Sequence, residues 1–358
     1  MLQINRLTGI KTRAMIRPWT DSQFDKPEPP TICDLDDIFR TEGVDLTVQA
    51  CQKAIAEWGG SINDITHTVA VTSTNTGAPG YDFLVGRKLG LSITTEQTLL
   101  AGVGCAGGMS AIRNASNIAC AASARGQAAR ILVMACEINC TQIRCALEHA
   151  ARNPKETKIS AVLFGDGAAA FIMCNELAAE ARSKAIYSMV ESTVTSLPNS
   201  TQDMGLFADP LGTEIISLYM KNLSLTSRLL GFRVEITKEV AVKSVASILP
   251  TFKKMLPSFV ASSSSSSAKT LDVQDFDWAV HPGGIAILKG AQRELQLSHE
   301  QLRASYEIYE HRGNTASVTI LSVLDKLRTM GEGRDNVVAC SFGPGMIIEM
   351  ATLKRCRS

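Results

Sequence analysis

The sequence predicts an α/β protein made of two similar, layered halves. Short apolar runs rich in β-branched residues alternate with longer segments in which apolar residues recur at helical spacing. A chain of 358 residues is long enough for two domains or for one fused pair of similar halves. Since the order of strands and helices repeats along the chain, we expect an N-terminal half over 1–175 and a C-terminal half over 176–358.

Glycines and β-branched runs delimit the elements of the first half. A helix rich in small residues is expected to lie centrally, because small side chains let other elements approach closely. The predicted elements are a helix over Asp34–Trp58, a strand over Thr68–Ser73, a strand before Cys105, the small-residue helix from Cys105 to Gly126, and strands at Arg130–Ile138 and within Ala161–Cys174.

The second half repeats this theme. Its predicted elements are a helix near Lys238–Leu249, a strand over Trp278–His281, helices that begin at Gly284 and Thr315, and strands over Asn336–Phe342 and Met346–Leu353. A run of six serines, Ser262–Ser267, cannot bury a core face and predicts a mobile surface loop over 261–268.

Composition describes a typical soluble globular chain and excludes several kinds of partner. Hydrophobic residues make up 45% and charged residues 20%, and the net charge is +1. No basic block predicts a nucleic-acid surface, and no apolar run reaches the ~20 residues of a membrane-spanning helix. We therefore expect a cytoplasmic protein that binds no nucleic acid and has no membrane span.

The ten cysteines predict free thiols in a reducing compartment. Their spacing shows no pairs, and most lie in apolar contexts. Cys136, Cys140 and Cys145 are close in sequence, but no CxxC motif or histidine-rich segment accompanies them. We therefore expect no metal site.

The segment Met1–Arg17 carries four basic residues before any acid. Such a start is typical of a transit peptide, and it equally suits a basic rim for an anionic ligand. Composition alone leaves both interpretations open.

Cys105 lies at a predicted strand-to-helix corner. An apolar run stops at Gly104, and glycines and small residues then open the central helix. Backbone N–H groups and the helix dipole at such a corner favour the thiolate, which is the reactive form of cysteine. The alternative is that Cys105 is one more small buried residue.

Two downstream segments favour the catalytic interpretation. His281 ends an apolar strand and precedes Pro-Gly-Gly, and Asn314 follows a glycine at the start of a helix. Taken singly, His281 fits a structural histidine and Asn314 fits a plain helix N-cap. Jointly with Cys105, they lie at ends of elements in an α/β layer, where ligand clefts form. We therefore predict one site that contains all three.

Five motifs make the chain resemble a known family. They are Gly-Val-Gly-Cys105-Ala-Gly, Phe164-Gly-Asp-Gly-Ala-Ala-Ala, His281-Pro-Gly-Gly, Gly313-Asn314 and Ser341-Phe-Gly-Pro-Gly345. In this order they resemble the type III polyketide synthases, the chalcone-synthase-like enzymes of the thiolase superfamily. The fungal branch, which makes alkylpyrones, alkylresorcinols and resorcylic acids, is the most similar. The resemblance implies a homodimer of thiolase-like, five-layered αβαβα subunits that uses acyl-CoA and malonyl-CoA with no metal or redox cofactor.

The resemblance also implies roles for individual residues. Cys105 falls on the nucleophile, and His281 and Asn314 fall on the catalytic pair. Phe164 falls on the gatekeeper aromatic. Val234 stands where the family has a second gatekeeper phenylalanine, which predicts a wider pocket entrance.

Further positions are expected to line the pocket or to hold coenzyme A. The pocket positions are Ser73, Asn139, Gln142 and Ala316. The positions for coenzyme A are Lys11, Arg13, Gly284 and Ala286, and the first two favour the basic-rim interpretation of the N-terminus. The family normally has an additional segment before this point, so the N-terminus is expected to be shortened.

The implied reaction is decarboxylative condensation of malonyl-CoA onto an acyl-CoA starter through an acyl-cysteine. A Cys–His ion pair at a helix N-terminus is expected to lower the thiol pKa, and His281 and Asn314 are expected to hold the enolate oxygen. The small side chain of Ala316 predicts room for a fatty acyl starter, whereas Gln142 would partly close that space. Two alternatives remain: a chain-initiating ketoacyl synthase, and a truncated, non-catalytic paralogue that binds acyl-thioesters.

Overall fold

The computed structural model describes residues 2–18, 20–22, 30–140, 143–144, 160–178, 185–208, 232–262 and 271–357. Its strands are β1 (His67–Val71), β2 (Glu96–Leu100), β3 (Arg130–Glu137), β4 (Gly167–Cys174), β5 (Tyr187–Ser196), β6 (Met204–Ala208), β7 (Phe232–Ile236), β8 (Phe276–Val280), β9 (Asn336–Gly343) and β10 (Ile347–Arg355). Its α-helices are α1 (Leu2–Thr8), α2 (Ile32–Ile38), α3 (Val44–Trp58), α4 (Tyr81–Leu89), α5 (Gly107–Ala124), α6 (Ser160–Leu163), α7 (Glu239–Ala261), α8 (Ile285–Glu294), α9 (Arg303–Arg312) and α10 (Ser317–Arg328).

The first sheet has the strand order β2-β1-β3-β4. β1 runs parallel to β2 and β3, and β4 is antiparallel to β3. One face packs on α3 and α4 through an apolar cluster that includes Val44, Tyr81, Val85, Leu132 and Met134. Because the three parallel strands end at one edge, the residues that follow them gather there.

The second sheet has the strand order β5-β10-β9-β8. β8 and β9 are parallel, and β10 is antiparallel to both β9 and β5. The arrangement of β8, β9 and β10 therefore repeats that of β1, β3 and β4. The outer face packs on α7 and α8 through a second cluster that includes Phe252, Phe259, Phe276, Trp278 and Leu288.

Helices α5 and α10 form a middle layer between the two sheets. Met109 and Ala115 of α5 and Ile320 and Leu324 of α10 belong to one core cluster, which also takes side chains from the inner faces of both sheets. The order of layers is helix, sheet, helix, sheet, helix. The predicted α/β class and the five-layered arrangement are therefore confirmed.

Most predicted elements are present with shifted ends. The helix near Lys238–Leu249 is longer than expected, because α7 continues to Ala261 in spite of Pro250 and Pro257. Its second part buries Phe252, Met255 and Phe259, and this apolar stripe outweighs the helix-breaking prolines.

Several elements were not predicted from the sequence. β5 mixes polar residues with a few apolar ones, and its side chains are half-buried or exposed, so it lacks a strong apolar signal. α9 follows a 3₁₀ turn, Glu300–Leu302, and is polar on average. β6 and β7 form a separate antiparallel pair in which Val234 lies opposite Leu206.

Some predictions fall partly outside the described residues. Gln142, Cys145 and residues 263–268 of the serine-rich loop are among them. Over the part of the chain that is described, no helix has both the length and the apolar character to cross a membrane. Within that same part, His, Cys, Asp and Glu side chains form no group suited to a metal ion.

Candidate active site

Cys105 lies in a 3₁₀ turn, Gly104–Ala106, between β2 and α5. The turn fits under the loop after β9, because a Cβ on Gly104 would lie 2.5 Å from Cδ of Pro344. Gly104 also has a φ of +49°, which favours glycine. The predicted strand-to-helix corner is therefore present, and the second half of the chain covers it.

His281 follows β8 directly and is 1% exposed. Its backbone N–H donates to the carbonyl of Cys340 in the neighbouring strand at 2.8 Å, which extends the sheet ladder by one residue. Among the described residues, neither ring nitrogen of His281 has a hydrogen-bond partner. Burial lowers the imidazole pKa to about 3, so the ring is neutral at physiological pH.

Asn314 lies between the end of α9 and the start of α10, and it is 2% exposed. Its backbone N–H donates to the carbonyl of Leu163, and its carbonyl accepts from the N–H of Gly165, both at 2.9 Å. The side-chain Oδ1 accepts from the N–H of Ala316 at 2.8 Å and from Oγ1 of Thr319 at 3.3 Å. These bonds fix the orientation of the amide.

The Asn314 side chain also lies close enough to Cys105 to lower the pKa of the thiol. The N-cap of α10 is Ala316, so Asn314 is not the plain cap that the alternative interpretation required. A side chain of the second half therefore acts on the thiol of the first half.

The thiol of Cys105 does not have the lowered pKa that its corner position predicts. Burial and, to a smaller extent, the charge of Glu137 raise the pKa to about 12, and the nearby Asn314 side chain opposes this only in part. Because the imidazole of His281 is also neutral, the resting site contains a neutral thiol and a neutral ring. Cys105 as a whole is half-buried, yet the desolvation of its thiol outweighs the effect of the helix N-terminus here.

Glu137 is a residue of this site that the sequence interpretation missed. It ends β3, is fully buried, and accepts hydrogen bonds from Oγ of Ser317 and from the backbone N–H of Ser73. Burial raises the carboxyl pKa to about 7. A carboxylate at the end of the otherwise apolar run Ile131–Cys136 was the available signal, because charged residues are rare in buried strands.

The predicted pocket residues occupy different surroundings. Ser73 is half-buried, and its backbone N–H donates a hydrogen bond to the carboxylate of Glu137. Asn139 is buried and donates from Nδ2 to the carbonyl of Gly165 at 2.7 Å. Ala316 is buried beside Asn314. Val234 is half-buried on the separate pair formed by β6 and β7.

Phe164 is half-buried in the turn between α6 and β4. It pairs with Asn314 in an isolated parallel bridge. The predicted gatekeeper and the predicted catalytic amide therefore share a short backbone ladder.

The residues expected to hold coenzyme A lie in two places. Gly284 precedes α8, and Ala286 is exposed in its first turn, and the N-terminus of a helix attracts anions. Lys11 has a side chain that is 63% exposed, and its Nζ contacts Glu310 at 2.5 Å. Arg13 is half-buried, and its Nη1 donates to the carbonyl of Phe164 at 3.1 Å.

Two family models match the chain. The model for the N-terminal domain of chalcone and stilbene synthases matches residues 20–176, and the model for their C-terminal domain matches residues 202–356. Together they cover most of the chain.

Individual proteins agree with these models. The type III polyketide synthase pspB of Penicillium soppii is 45% identical, over 99% of this chain and 87% of that protein. The acylalkylpyrone synthase csyB of Aspergillus oryzae is 32% identical, over 99% of this chain and 85% of that protein.

Solved structures agree as well. A type III pentaketide synthase from Neurospora crassa matches with a TM-score of 0.89 and 38% identity, over 99% of this chain and 90% of that one. CsyB in complex with CoA-SH matches with a TM-score of 0.84 and 30% identity, with the same coverage.

The layered arrangement of two related sheets is a thiolase-like fold, the fold of acyl-transferring condensing enzymes. The chain belongs to the chalcone and stilbene synthase family and is a type III polyketide synthase.

Proposed function

We propose that this synthase condenses malonyl-CoA onto a fatty acyl-CoA starter through an acyl-Cys105 intermediate. The expected products are polyketides of the alkylpyrone, alkylresorcinol or resorcylic acid type. The observation that supports this most strongly is the effect of the oriented Asn314 side chain on the pKa of the Cys105 thiol, together with the buried, unpartnered imidazole of His281 at the end of β8.

Acyl loading uses the neutral pair. The Cys105 thiol gives its proton to a ring nitrogen of His281, and the thiolate attacks the thioester carbonyl of the starter. The tetrahedral intermediate collapses with cleavage of the carbon–sulfur bond to coenzyme A, whose thiolate takes the proton back from the imidazolium. Burial that raises the thiol pKa and lowers the imidazole pKa keeps both groups uncharged until substrate arrives.

Chain extension uses the same two side chains as donors. Malonyl-CoA loses carbon dioxide, and the electron pair of the broken carbon–carbon bond passes to the thioester oxygen as an enolate. The amide of Asn314 and the ring N–H of His281 stabilise that charge, each as a preorganised donor in a site of low dielectric constant. The enolate carbon then attacks the acyl-cysteine carbonyl and expels the Cys105 thiolate.

The starter is proposed from the pocket and from the relatives. Ala316 has a small side chain next to Asn314, and each methylene of an acyl chain buried against it would contribute about 0.8 kcal/mol. The name of the relative csyB, an acylalkylpyrone synthase, supports an acyl chain as the starter. No metal or redox cofactor enters these steps, since the charges are held by side-chain donors.

Coenzyme A is proposed to bind at the N-terminal segment and at α8. Lys11 is exposed, and the first turn of α8 presents Gly284 and Ala286. A relative of the same fold, CsyB, has been solved with CoA-SH, which supports this class of ligand.

A cytoplasmic homodimer is proposed as the assembly. The edge strand β2 precedes Cys105 and is exposed along most of its length. An exposed edge strand offers unpaired backbone groups to another chain, and a second copy of this chain would pair with it.

The test is a product assay with purified protein, malonyl-CoA and acyl-CoA starters from acetyl to stearoyl. We expect pyrone or resorcinol products from the longer fatty starters, together with acylation of Cys105 in peptide mass spectra. Cys105→Ala is expected to abolish acylation and product formation while the far-UV circular dichroism spectrum stays unchanged. Cys136→Ala, which removes another thiol, serves as the matched control. A single extension that stops at a ketoacyl product would indicate the chain-initiating ketoacyl synthase. Binding of thioesters without turnover would indicate the non-catalytic paralogue.

A further inference from the structure

The N-terminal segment 10–16 crosses the junction between the two halves, and we call it the strap. The N–H of Lys11 donates to the carbonyl of Glu310 at 2.7 Å, and the N–H of Ala14 donates to that of Arg312 at 3.3 Å. On its other side, the carbonyl of Ala14 accepts from the N–H of Asp166 at 2.7 Å. The strap therefore connects the end of α9 with the turn that precedes β4.

Arg13 lies in the strap, and its side chain turns into this junction. Its Nη1 donates to the carbonyl of Phe164 at 3.1 Å. Its stem packs on Gly313, where an added Cβ would lie 3.1 Å from Cγ of Arg13. Burial lowers the pKa of the guanidinium, and the nearby carboxylate of Asp166 opposes that effect. The charged group is thus partly withdrawn from solvent and lies close enough to Asp166 to be stabilised by its charge.

The carbonyl that Arg13 holds belongs to the backbone ladder of Asn314. The bonds from Asn314 N–H to Leu163 and from Gly165 N–H to Asn314 lie on the two sides of Phe164. Gly313, against which the Arg13 stem packs, is the residue before Asn314. Arg13 therefore contacts both backbone segments of this ladder, one at Phe164 and the other at Gly313.

Lys11 provides a contrast within the same strap. Its side chain is 63% exposed and its cation pairs with Glu310 at the surface. A phosphate can reach such a cation without rearrangement of the fold. The guanidinium of Arg13 is already engaged with the backbone beside the site.

We infer that Arg13 is a positioning residue, which holds the Phe164 turn against Gly313 and so sets the Asn314 amide relative to Cys105. This inference rests on the proposed function and deepens it, because the resemblance assigns Arg13 to coenzyme A binding instead. Misplacement of a reacting group by about 1 Å can cost ~10²-fold in rate. Loss of Arg13 is therefore expected to act on the chemical step.

The test compares Arg13→Met with Lys11→Met. Each substitution removes one cation and keeps an unbranched apolar stem. Decarboxylation is measured with malonyl-CoA and with malonyl-N-acetylcysteamine, which lacks the phosphates of coenzyme A. For Arg13→Met we expect kcat to fall roughly 10- to 100-fold with both substrates and KM to stay unchanged. For Lys11→Met, whose cation a phosphate can reach, we expect the opposite pattern, a raised KM for malonyl-CoA.

Conservative replacement gives a second readout. Arg13→Lys is expected to restore part of kcat with malonyl-N-acetylcysteamine, since an ammonium can still donate to the carbonyl of Phe164. If Arg13→Met does not fold, as judged by far-UV circular dichroism, Arg13→Lys carries the same comparison with wild type.

Two results would overturn the inference. The first is a raised KM for malonyl-CoA in Arg13→Met with full activity on malonyl-N-acetylcysteamine, which would make Arg13 a phosphate ligand. The second is loss of folding in both Arg13 variants, which would make its role structural. Wild-type protein that decarboxylates neither substrate would instead contradict the proposed function, so the two failures are distinguishable.

Discussion

Ser317 donates a hydrogen bond from Oγ to the carboxylate of Glu137 where the two halves of the chain meet. Glu137 ends a strand of the first sheet, and Ser317 begins the central helix of the second half. Burial raises the pKa of this carboxyl to about 7, and its charge raises the pKa of the Cys105 thiol. The junction therefore carries a titratable group that acts on the thiol of Cys105, the proposed nucleophile.

Glu137→Gln is expected to lower the pKa of the Cys105 thiol. The amide keeps the shape and an acceptor oxygen for Ser317 but removes the negative charge that disfavours the thiolate. Because the carboxyl ionises only near pH 7, wild type and variant should differ above that pH and converge below it. The measurement is the rate of Cys105 alkylation by iodoacetamide as a function of pH, with the site located by mass spectrometry.

Glu349→Gln is the matched control for this experiment. Glu349 is also a buried carboxylate, but it lies in β10 and pairs with Arg113 and Ser110 of α5. Its replacement is expected to leave the alkylation profile of Cys105 unchanged. An equal shift in both variants would show that the effect is not specific to the charge of Glu137.

The stability of the protein should depend on pH through the same carboxyl. Its pKa in the folded protein, about 7, lies above the ordinary value of 4.5, so the folded state binds the proton more tightly. That contribution is full below pH 4.5 and is lost as pH rises through 7. Since glutamine mimics the protonated form, wild type should lose about 3 kcal/mol relative to Glu137→Gln across this range. Urea unfolding of both proteins at the two ends of the range measures it, and a difference independent of pH would refute the prediction.

Asn314→Asp is expected to impair decarboxylation more than acyl loading. The aspartate keeps the oxygen that accepts from the N–H of Ala316, but it removes the amide donor needed where enolate charge develops. Loss of one such donor typically costs ~10²–10³ in rate. Release of carbon dioxide from malonyl-CoA and acylation of Cys105 are measured separately. Equal loss in both half-reactions would point to a structural role for Asn314.

Ala316→Gly is expected to stabilise the fold by about 1 kcal/mol, because a backbone in a sparsely populated region costs on the order of 1–3 kcal/mol. Ala316 has a φ of +46° and a ψ of −121°, which a residue without a Cβ adopts without strain. The measurement is the urea unfolding midpoint. Ala339→Gly, at a buried position within β9, is the control and should be destabilising. Destabilisation of the same size in both variants would argue against strain at Ala316.

The corner positions of the site could be predicted from the sequence because glycines mark them. Gly104 and Gly313 both have positive φ values, and Cys105 and Asn314 follow them directly. His281 was found from the end of an apolar run, which β8 confirms. These signals are local, so a single sequence contains them.

The electrostatics of the site could not be predicted in the same way. The pKa of Cys105 depends on how deeply the second half covers the 3₁₀ turn and on the nearby charge of Glu137, and both are tertiary facts. The hydrogen bond from Arg13 to the carbonyl of Phe164 joins residues 151 positions apart, so no local sequence pattern predicts it. α9 is polar and lacks an apolar stripe of the usual width, so the sequence did not predict this helix.

Gly108 has no side chain, so the carbonyl of Ser317 can approach it closely. A Cβ added to Gly108 would lie only 2.4 Å from that carbonyl oxygen. A methyl group at that point would push α5 and the start of α10 apart. The Cys105 thiol would then lie farther from the Asn314 amide. Every recognisable motif of the enzyme would survive such a change. A paralogue with a larger residue at this position would keep all five motifs and is expected to lack condensing activity. The residue at the position of Gly108 should therefore be compared before activity is assigned to a related sequence from its motifs.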